Sequence, residues 1–136
     1  MRVLAIDTAL EACSAAVFDT DHGGITASES EAMARGHAEA VMPLLARVMN
    51  LAEIDFANLD RIAVTTGPGS FTGLRVGIAA ARGIALAAGK PAIGLSTLAA
   101  FATPLIAEDD TTHVVAAIDA RHDNVCLLYT SDAADE

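Results

Sequence analysis

GPGSFTGLRVG, residues 67–77, stands between a short apolar run and a long segment rich in small residues. The run, residues 61–65, is typical of a β-strand, and the segment, residues 74–88, is typical of a helix. The stretch therefore predicts a strand-loop-helix corner of an α/β fold. Further strands are predicted at residues 3–6, 13–18, 24–30, 91–95, 114–118 and 125–128, and further helices at 36–49 and 97–107.

The corner is suited to close backbone approach. Two glycines flank Pro68, which favours a tight turn. Ser70 and Thr72 can each accept a hydrogen bond from the free N–H groups at the start of the helix. The predicted structural loop comprises Gly67, Pro68, Gly69, Ser70, Thr72 and Gly73. On local physics the corner is either a capped turn without a ligand or a site where the backbone meets one.

The common phosphate-binding motifs do not fit this corner. A Walker A loop has four residues between its glycines and then a lysine, whereas five residues separate Gly67 from Gly73, and Leu74 follows. A dinucleotide-binding fingerprint would need a glycine at Thr72. Ser70 is not in a G-x-S-x-G elbow either.

Four segments together resemble the bacterial TsaB family, also called YeaZ: GPGSFTGLRVG, the initial MRVLAIDTA, KPAIGLSTL after the helix, and AAIDARHDNV near the end. The resemblance covers about residues 1–125. It implies an actin-like, ribonuclease-H-like (ASKHA) α/β fold. We accordingly expect a first lobe at residues 1–107, the start of an incomplete second lobe at 108–129, and a non-native or disordered tail at 130–136. An incomplete second lobe would leave a sheet edge open to self-association.

The resemblance also implies a role. Family members take part in making threonylcarbamoyladenosine in tRNA, as non-catalytic subunits that bind a TsaD-like catalytic subunit beside a TsaE-like ATPase. ATP and a metal are then expected on the partner subunits, with no cofactor bound by this chain alone. In the catalytic family, an H-x-x-x-H motif follows the K-P-x-I-G strand. Aligning on that strand puts the histidines at Thr97 and Phe101, so no metal site is expected here.

The helix at residues 74–88 is apolar on nearly every side, which predicts burial against more than one neighbour. We expect this helix and the one at residues 36–49 to dock together onto a partner subunit or a second copy; the alternative is that they pack only on each other. The predicted partner interface comprises Met42, Leu45, Arg75, Val76, Ala80, Arg82 and Gly83. A bulky residue at Ala80 is the predicted probe of this interface.

Composition limits the other possibilities. The chain has 136 residues and a net charge of −10, which fits one domain and argues against independent binding of nucleic acid. Contact with tRNA is therefore expected to be indirect. No run approaches the roughly 20 apolar residues of a membrane span, so a soluble, cytoplasmic protein is expected. Cys13 and Cys126 lack the spacing of a zinc or redox pair and are expected to be small buried residues.

Three polar positions leave alternatives open. Asp7 stands where nucleotide-binding members of the actin-like superfamily have an acidic residue, but Ala9 replaces the usual glycine. Asp7 is either proximal to a nucleotide or a carboxylate of the turn. His37 is expected to be solvated or to cap a helix, and Asp119 with His122 to form a hairpin turn. The rival functions are an actin-like small-molecule kinase using Asp7 and the corner, and a metal-dependent peptidase whose ligands the sequence lacks.

Overall fold

The computed structural model describes residues 1–109 and 111–129. Its elements follow in the order β1 Arg2–Asp7, β2 Ala12–Asp19, β3 Gly24–Ala32, α1 His37–Leu51, β4 Arg61–Thr65, α2 Phe71–Ala88, β5 Ala92–Leu95, α3 Thr97–Glu108, β6 Val115–Arg121 and β7 Asn124–Tyr129. Every predicted strand and helix is present, with its ends within three residues of the predicted ones. The tail predicted at residues 130–136 lies outside the described residues, and the division into lobes stays a prediction.

Five strands form one mixed sheet in the order β3-β2-β1-β4-β5. β1 pairs antiparallel with β2 and parallel with β4, and β4 pairs parallel with β5. Parallel neighbours need a crossover connection, which α2 supplies between β4 and β5. The carboxyl ends of β1 and β4 therefore meet at the same edge of the sheet, beside the start of α2.

The main core lies between one face of this sheet and helices α1 and α2. Leu4 and Ile6 of β1 point into it, whereas Ala5 between them is exposed on the opposite face, as the alternation of a strand requires. The fully buried large apolar side chains of this core include Leu4, Val17, Leu44, Leu45, Val48, Leu59 and Ile62. Cys13 is also buried here, as predicted, and burial raises the pKa of its thiol. Cys126, for which burial was also predicted, is only partly buried.

A second, smaller core joins α3 to the hairpin of β6 and β7. Leu98 and Ala102 of α3 pack against Ala116 and Ile118 of β6. The hairpin forms its own two-stranded sheet, separate from the five-stranded one. Val115, Val125, Leu127 and Tyr129 on its other face are exposed.

Helix α2 is long and apolar enough to cross a membrane, with a mean hydropathy of 1.3 over 18 residues. A helix in the core of a soluble protein can meet the same criterion. Gly73, Gly77 and Ala81 form a buried face of this helix, and Arg75 and Arg82 interrupt its exposed surface. This is the arrangement of a helix that covers a sheet.

Candidate functional site

The glycine-rich corner begins with a backbone conformation that favours glycine. Gly67 has φ of +112°, and a Cβ there would lie 3.2 Å from Leu74 Cδ1. The peptide bond between Gly67 and Pro68 is cis. The Thr97 N–H donates to the Gly67 carbonyl at 3.0 Å, which ties the corner to the start of α3.

Ser70 caps α2, as predicted. Its side chain accepts a hydrogen bond from the Gly73 N–H at 3.3 Å. The prediction of a second cap at Thr72 is wrong, because the helix starts at Phe71, three residues earlier than expected. Thr72 therefore lies in the first turn with an exposed side chain.

The close backbone approach predicted at the corner is made by the chain itself. A Cβ at Gly69 would collide with the Ala9 carbonyl, and a Cβ at Gly73 with the Thr8 carbonyl. Two hydrogen bonds join the same partners: Ser70 N–H to the Ala9 carbonyl at 2.7 Å, and the Thr8 hydroxyl to the Gly73 carbonyl at 2.5 Å. At Gly77, four residues further on, a Cβ would collide with the Thr8 hydroxyl, so glycine leaves room for it. The inner face of α2 is thus fixed on the turn between β1 and β2.

Asp7 lies beside this contact, at the carboxyl end of β1. Its Oδ1 accepts from the Ala9 N–H at 3.0 Å and from the Thr65 hydroxyl at 2.8 Å. These bonds are those of a turn carboxylate that joins the ends of β1 and β4, which favours the second alternative given above. A role near a nucleotide stays a prediction.

His37 differs from its prediction as a solvated or capping residue. Its side chain is buried at the start of α1, and Nε2 lies 3.0 Å from the Leu10 carbonyl oxygen. Gly36 precedes the helix and provides no side-chain cap. His37 therefore holds α1 on the same turn that α2 contacts, because Leu10 directly follows Ala9.

The carboxyl group of Asp19 lies at the opposite edge of the sheet, where the end of β2 pairs with the start of β1. This buried side chain accepts from Arg2 Nε at 2.9 Å, accepts from the Asp21 N–H at 3.0 Å, and lies 2.9 Å from His22 Nδ1. The hydrogen bond from Arg2 is the main cause that lowers the pKa of Asp19 to about 2. Asp19 is therefore a structural carboxylate that joins the end of β2 to the start of β1, at the open end of this hairpin.

The outer face of α2 combines two arginines with exposed apolar residues. Its most outward line, the α2 seam, comprises Thr72, Arg75, Ala79, Arg82 and Leu86. Leu86 is 86% exposed, and together with the exposed Ala79 it makes the seam partly apolar. The Arg75 guanidinium lies over the Phe71 ring, with Cζ 5.2 Å from the ring centroid.

The structure divides the predicted partner interface. Met42 on α1 and Arg75, Arg82 and Gly83 on α2 are exposed. Leu45 has no exposed surface, so its assignment to a partner surface is wrong: it points into the main core. Val76 and Ala80 are partly buried and pack against that core, so a bulky residue at Ala80 would disturb the fold as well as any interface.

Two exposed residues of the seam, Ala79 and Leu86, were missed by the sequence analysis. Both resemble core residues in type, and an almost uniformly apolar helix gives no contrast by which to choose its outer face. The spacing of 3, 4, 3 and 4 residues along the seam was the available signal.

The positions aligned with metal-binding histidines lie in different environments. Thr97 is buried at the start of α3, and its hydroxyl has no hydrogen-bond partner among the described residues. Phe101, one turn further on, is exposed. Within residues 1–109 and 111–129 there is no group of three or more His, Cys, Asp or Glu side chains arranged to hold a metal ion.

Comparison with known proteins gives consistent matches. Residues 12–134 match the sequence model of TsaD, tRNA N6-adenosine threonylcarbamoyltransferase. The chain is 40% identical over 121 residues to the tRNA threonylcarbamoyladenosine biosynthesis protein TsaB of Escherichia coli strain K12, which covers 89% of this chain and 51% of that protein. It is 39% identical over 110 residues to the tRNA N6-adenosine threonylcarbamoyltransferase of Erythrobacter litoralis, over 71% of this chain and 32% of that protein.

Among solved structures, YeaZ from Pseudomonas aeruginosa superposes with a TM-score of 0.82 at 32% identity, covering 96% of this chain and 65% of that chain. The chain spans about half the length of the TsaB relatives that it matches. These matches confirm the predicted resemblance and the predicted actin-like α/β fold class.

Proposed function

We propose that this chain, which belongs to the TsaD sequence family because residues 12–134 match the model of that family, acts in threonylcarbamoyladenosine synthesis as a TsaB-type partner subunit. In this role it binds and stabilises a TsaD-like catalytic subunit and performs no chemical step itself. Its similarity to proteins named for tRNA threonylcarbamoyladenosine biosynthesis supports a role in that pathway. The geometry of α2 supports the role within it.

The division of α2 into two faces is the observation that carries this proposal. Its inner face, with Gly73 and Gly77, packs on the turn between β1 and β2, and Gly69 just before the helix contacts the same turn. The close backbone approach at the corner therefore serves the chain's own fold. Its outer face, the α2 seam, is covered by no other element among the described residues. A helix fixed this firmly on one side and open on the other is a rigid docking surface.

The partners carry the remaining functions in this proposal. A TsaD-like subunit transfers the threonylcarbamoyl group from an adenylate to adenosine in tRNA, and a TsaE-like ATPase assists it. ATP and the metal belong to these partners. The net charge of −10 leaves the binding of tRNA to them as well. Homodimer formation and a cytoplasmic location are further expectations.

Light scattering coupled to size-exclusion chromatography tests the proposal directly. The chain is run alone and after mixing with the TsaD-like subunit from the same source. A one-to-one complex is the expected result, with the catalytic subunit more resistant to thermal unfolding inside it. A well-folded chain that does not pair would contradict the proposal, and tight ATP binding by the isolated chain would favour the rival kinase function.

A further inference from the structure

We propose that the outer side of β3 binds an extended, basic segment of another protein, which adds to the five-stranded sheet as a further strand. This surface contains none of the residues of the α2 seam, so the inference goes beyond the proposed docking function. Three observations carry it: the backbone groups along this side of β3, the regular pairing of the strand, and the charge beside it.

The backbone of β3 has unpaired groups along its outer side. Among residues 1–109 and 111–129, β3 pairs only with β2. The Met33 N–H donates to the Glu11 carbonyl at 3.1 Å, which fixes the phase of this antiparallel ladder. Between residues 27 and 31 the odd-numbered residues therefore bond β2, whereas the N–H and C=O groups of Ser28, Ser30 and Ala32 point away from the sheet. These three residues are exposed, so an added strand can pair with them.

The features that commonly block pairing at the side of a sheet are absent from β3. The strand is nine residues long and contains neither proline nor lysine. Its register with β2 is continuous from the pair of Ala12 with Ala32 to the pair of Val17 with Ala27. The one shift in register follows Val17, near the start of β3. Residues 28–32 thus form a regular template for a further strand.

The charge beside this template selects the partner. β3 contains two glutamates and no basic residue. Both glutamates lie on the face next to α1, where Arg47 Nη2 is 2.7 Å from Glu29 Oε1 and 3.7 Å from Glu31 Oε2. One guanidinium leaves a surplus negative charge on two carboxylates, and the Glu31 side chain is 54% exposed. Lysine or arginine side chains on the added strand would face these carboxylates, and opposite charges on neighbouring strands stabilise their pairing.

The other face of β3 is uncharged. Ile25 is 69% exposed and pairs with Phe18, which is also exposed. Ser28 and Ser30 follow on the same face, because they pair with residues of β2 at two-residue intervals from Phe18. Successive side chains of a strand point to opposite faces. The segment that fits this side of β3 therefore alternates basic residues with uncharged ones.

A second copy of this chain fits the same surface less well. Two β3 strands paired along their outer sides would bring the glutamates of both copies onto one face of the joined sheet. Like charges on neighbouring strands destabilise their pairing, and the net charge of −10 adds to the repulsion between copies. A basic segment avoids both effects.

Hydrogen exchange of the chain, followed residue by residue by NMR with and without a synthetic peptide, tests the inference. The peptide alternates lysine and valine; its charge-matched control alternates lysine and proline, which lacks the N–H groups that a ladder needs. The lysine–valine peptide should slow exchange of the Ser28, Ser30 and Ala32 amides at least tenfold. Amides at positions 27, 29 and 31 already bond β2 and should change little. The control peptide should slow none of them.

Isothermal titration of three variants with the lysine–valine peptide locates the contact. Ser28→Pro removes an outward N–H without removing a hydrogen bond to β2, so it should raise Kd at least tenfold. Ser28→Ala, the matched control, should leave Kd unchanged. Glu31→Gln should raise Kd about threefold at low salt and have little effect at high salt, where the charge is screened. Unchanged far-UV circular dichroism shows that each variant is folded; if Ser28→Pro does not fold, the exchange pattern of the wild-type chain decides.

The contrary outcomes are specific. Binding of neither peptide, or equal binding of both without slower exchange at Ser28, Ser30 and Ala32, would overturn the inference. Self-association of the chain that Ser28→Pro abolishes would assign this side of β3 to a second copy and overturn it as well. These results leave the proposed docking function standing, because Ser28→Pro should not change pairing with the TsaD-like subunit.

Discussion

Gly73 and Gly83 lie in the same helix but meet opposite surroundings. A Cβ at Gly73 would collide with the Thr8 carbonyl oxygen, which belongs to the backbone and cannot rotate away, whereas a Cβ at Gly83 would meet open space. We expect Gly73→Ala to lower the free energy of unfolding by about 1–3 kcal/mol through overpacking. Gly83→Ala should raise it by about 0.5–1 kcal/mol through helix propensity. Urea unfolding of both variants measures the two changes.

The pair of variants is its own control, because each makes the same chemical change in the same helix. Equal effects at the two positions would show that helix propensity alone decides and that the contact with Thr8 is not tight. A stabilised Gly83→Ala variant would also show that this glycine is retained for a reason other than folding.

Asp19 should make the stability of the chain depend on pH. Its pKa is lowered to about 2 in the folded chain, mainly by the hydrogen bond from Arg2, and lies near 3.8 when unperturbed. A lowered pKa stabilises the folded state above the unperturbed pKa, and this contribution is lost as the pH falls through the folded pKa. We therefore expect Asp19→Asn to unfold more easily than wild type at pH 6. The difference between the two should shrink steadily from about pH 4 to about pH 2.

Thermal unfolding followed by circular dichroism at several pH values checks this difference. Asp60→Asn is a useful comparison, since Asp60 is exposed and accepts from the Arg2 backbone N–H, not from its guanidinium. A gap between Asp19→Asn and wild type that stays constant from pH 6 to pH 2 would contradict the assignment.

Among the elements, α2 depends on a single side-chain cap. Ser70 accepts from the Gly73 N–H, while Thr72 lies in the first turn with its side chain exposed. We expect Ser70→Ala to lower the free energy of unfolding by about 1 kcal/mol. Thr72→Ala, the matched control, should change it by less than about 0.5 kcal/mol. Chemical denaturation of both variants decides the point, and a larger loss for Thr72→Ala would place the start of the helix where the sequence predicted it.

The elements were predictable to the extent that their signals are local. Alternating or continuous apolar runs with turn residues between them gave all seven strands. The start of α2 was predicted late because Gly73 lowers the helix propensity of the first turn, although Ser70 was recognised as a possible cap. The outer face of α2 was misplaced for a different reason: a helix with hydrophobic residues on all sides contains no periodicity that points outward, so Val76 and Ala80 were assigned to an interface although they pack against the main core. Leu45 was assigned to the same interface, but it lies on α1 and is buried in the main core.

For the molecule as a whole, the site depends on contacts between residues that are far apart in the sequence. Asp7 bonds Thr65 and Thr8 bonds Gly73, across separations of 58 and 65 residues. No local pattern pairs such positions; the sequence showed only that the corner was built for close approach. The sheet topology brings the ends of β1 and β4 together, and it thereby shows that the segment in close contact with the corner is the turn between β1 and β2.

The presence of two separate cores has a consequence for dynamics. The main core lies between the five-stranded sheet and two helices, whereas the hairpin of β6 and β7 packs through a few side chains on α3. A two-stranded sheet is only marginally stable by itself. We therefore expect backbone amides of β6 and β7 to exchange with deuterium well before those of β1 and β4, through local opening that leaves the main core folded.

Hydrogen exchange followed by mass spectrometry tests this directly, and two leucine variants sharpen it. Leu98→Ala truncates a buried leucine of α3 in the small core and should cost about 2 kcal/mol there, which accelerates exchange in β6 and β7 and leaves β1 unchanged. Leu44→Ala in the main core should instead accelerate exchange throughout the chain, because that core is shared by α1 and the sheet. Equal protection of β1 and β6, or a change in β1 caused by Leu98→Ala, would mean that the two cores unfold as one unit.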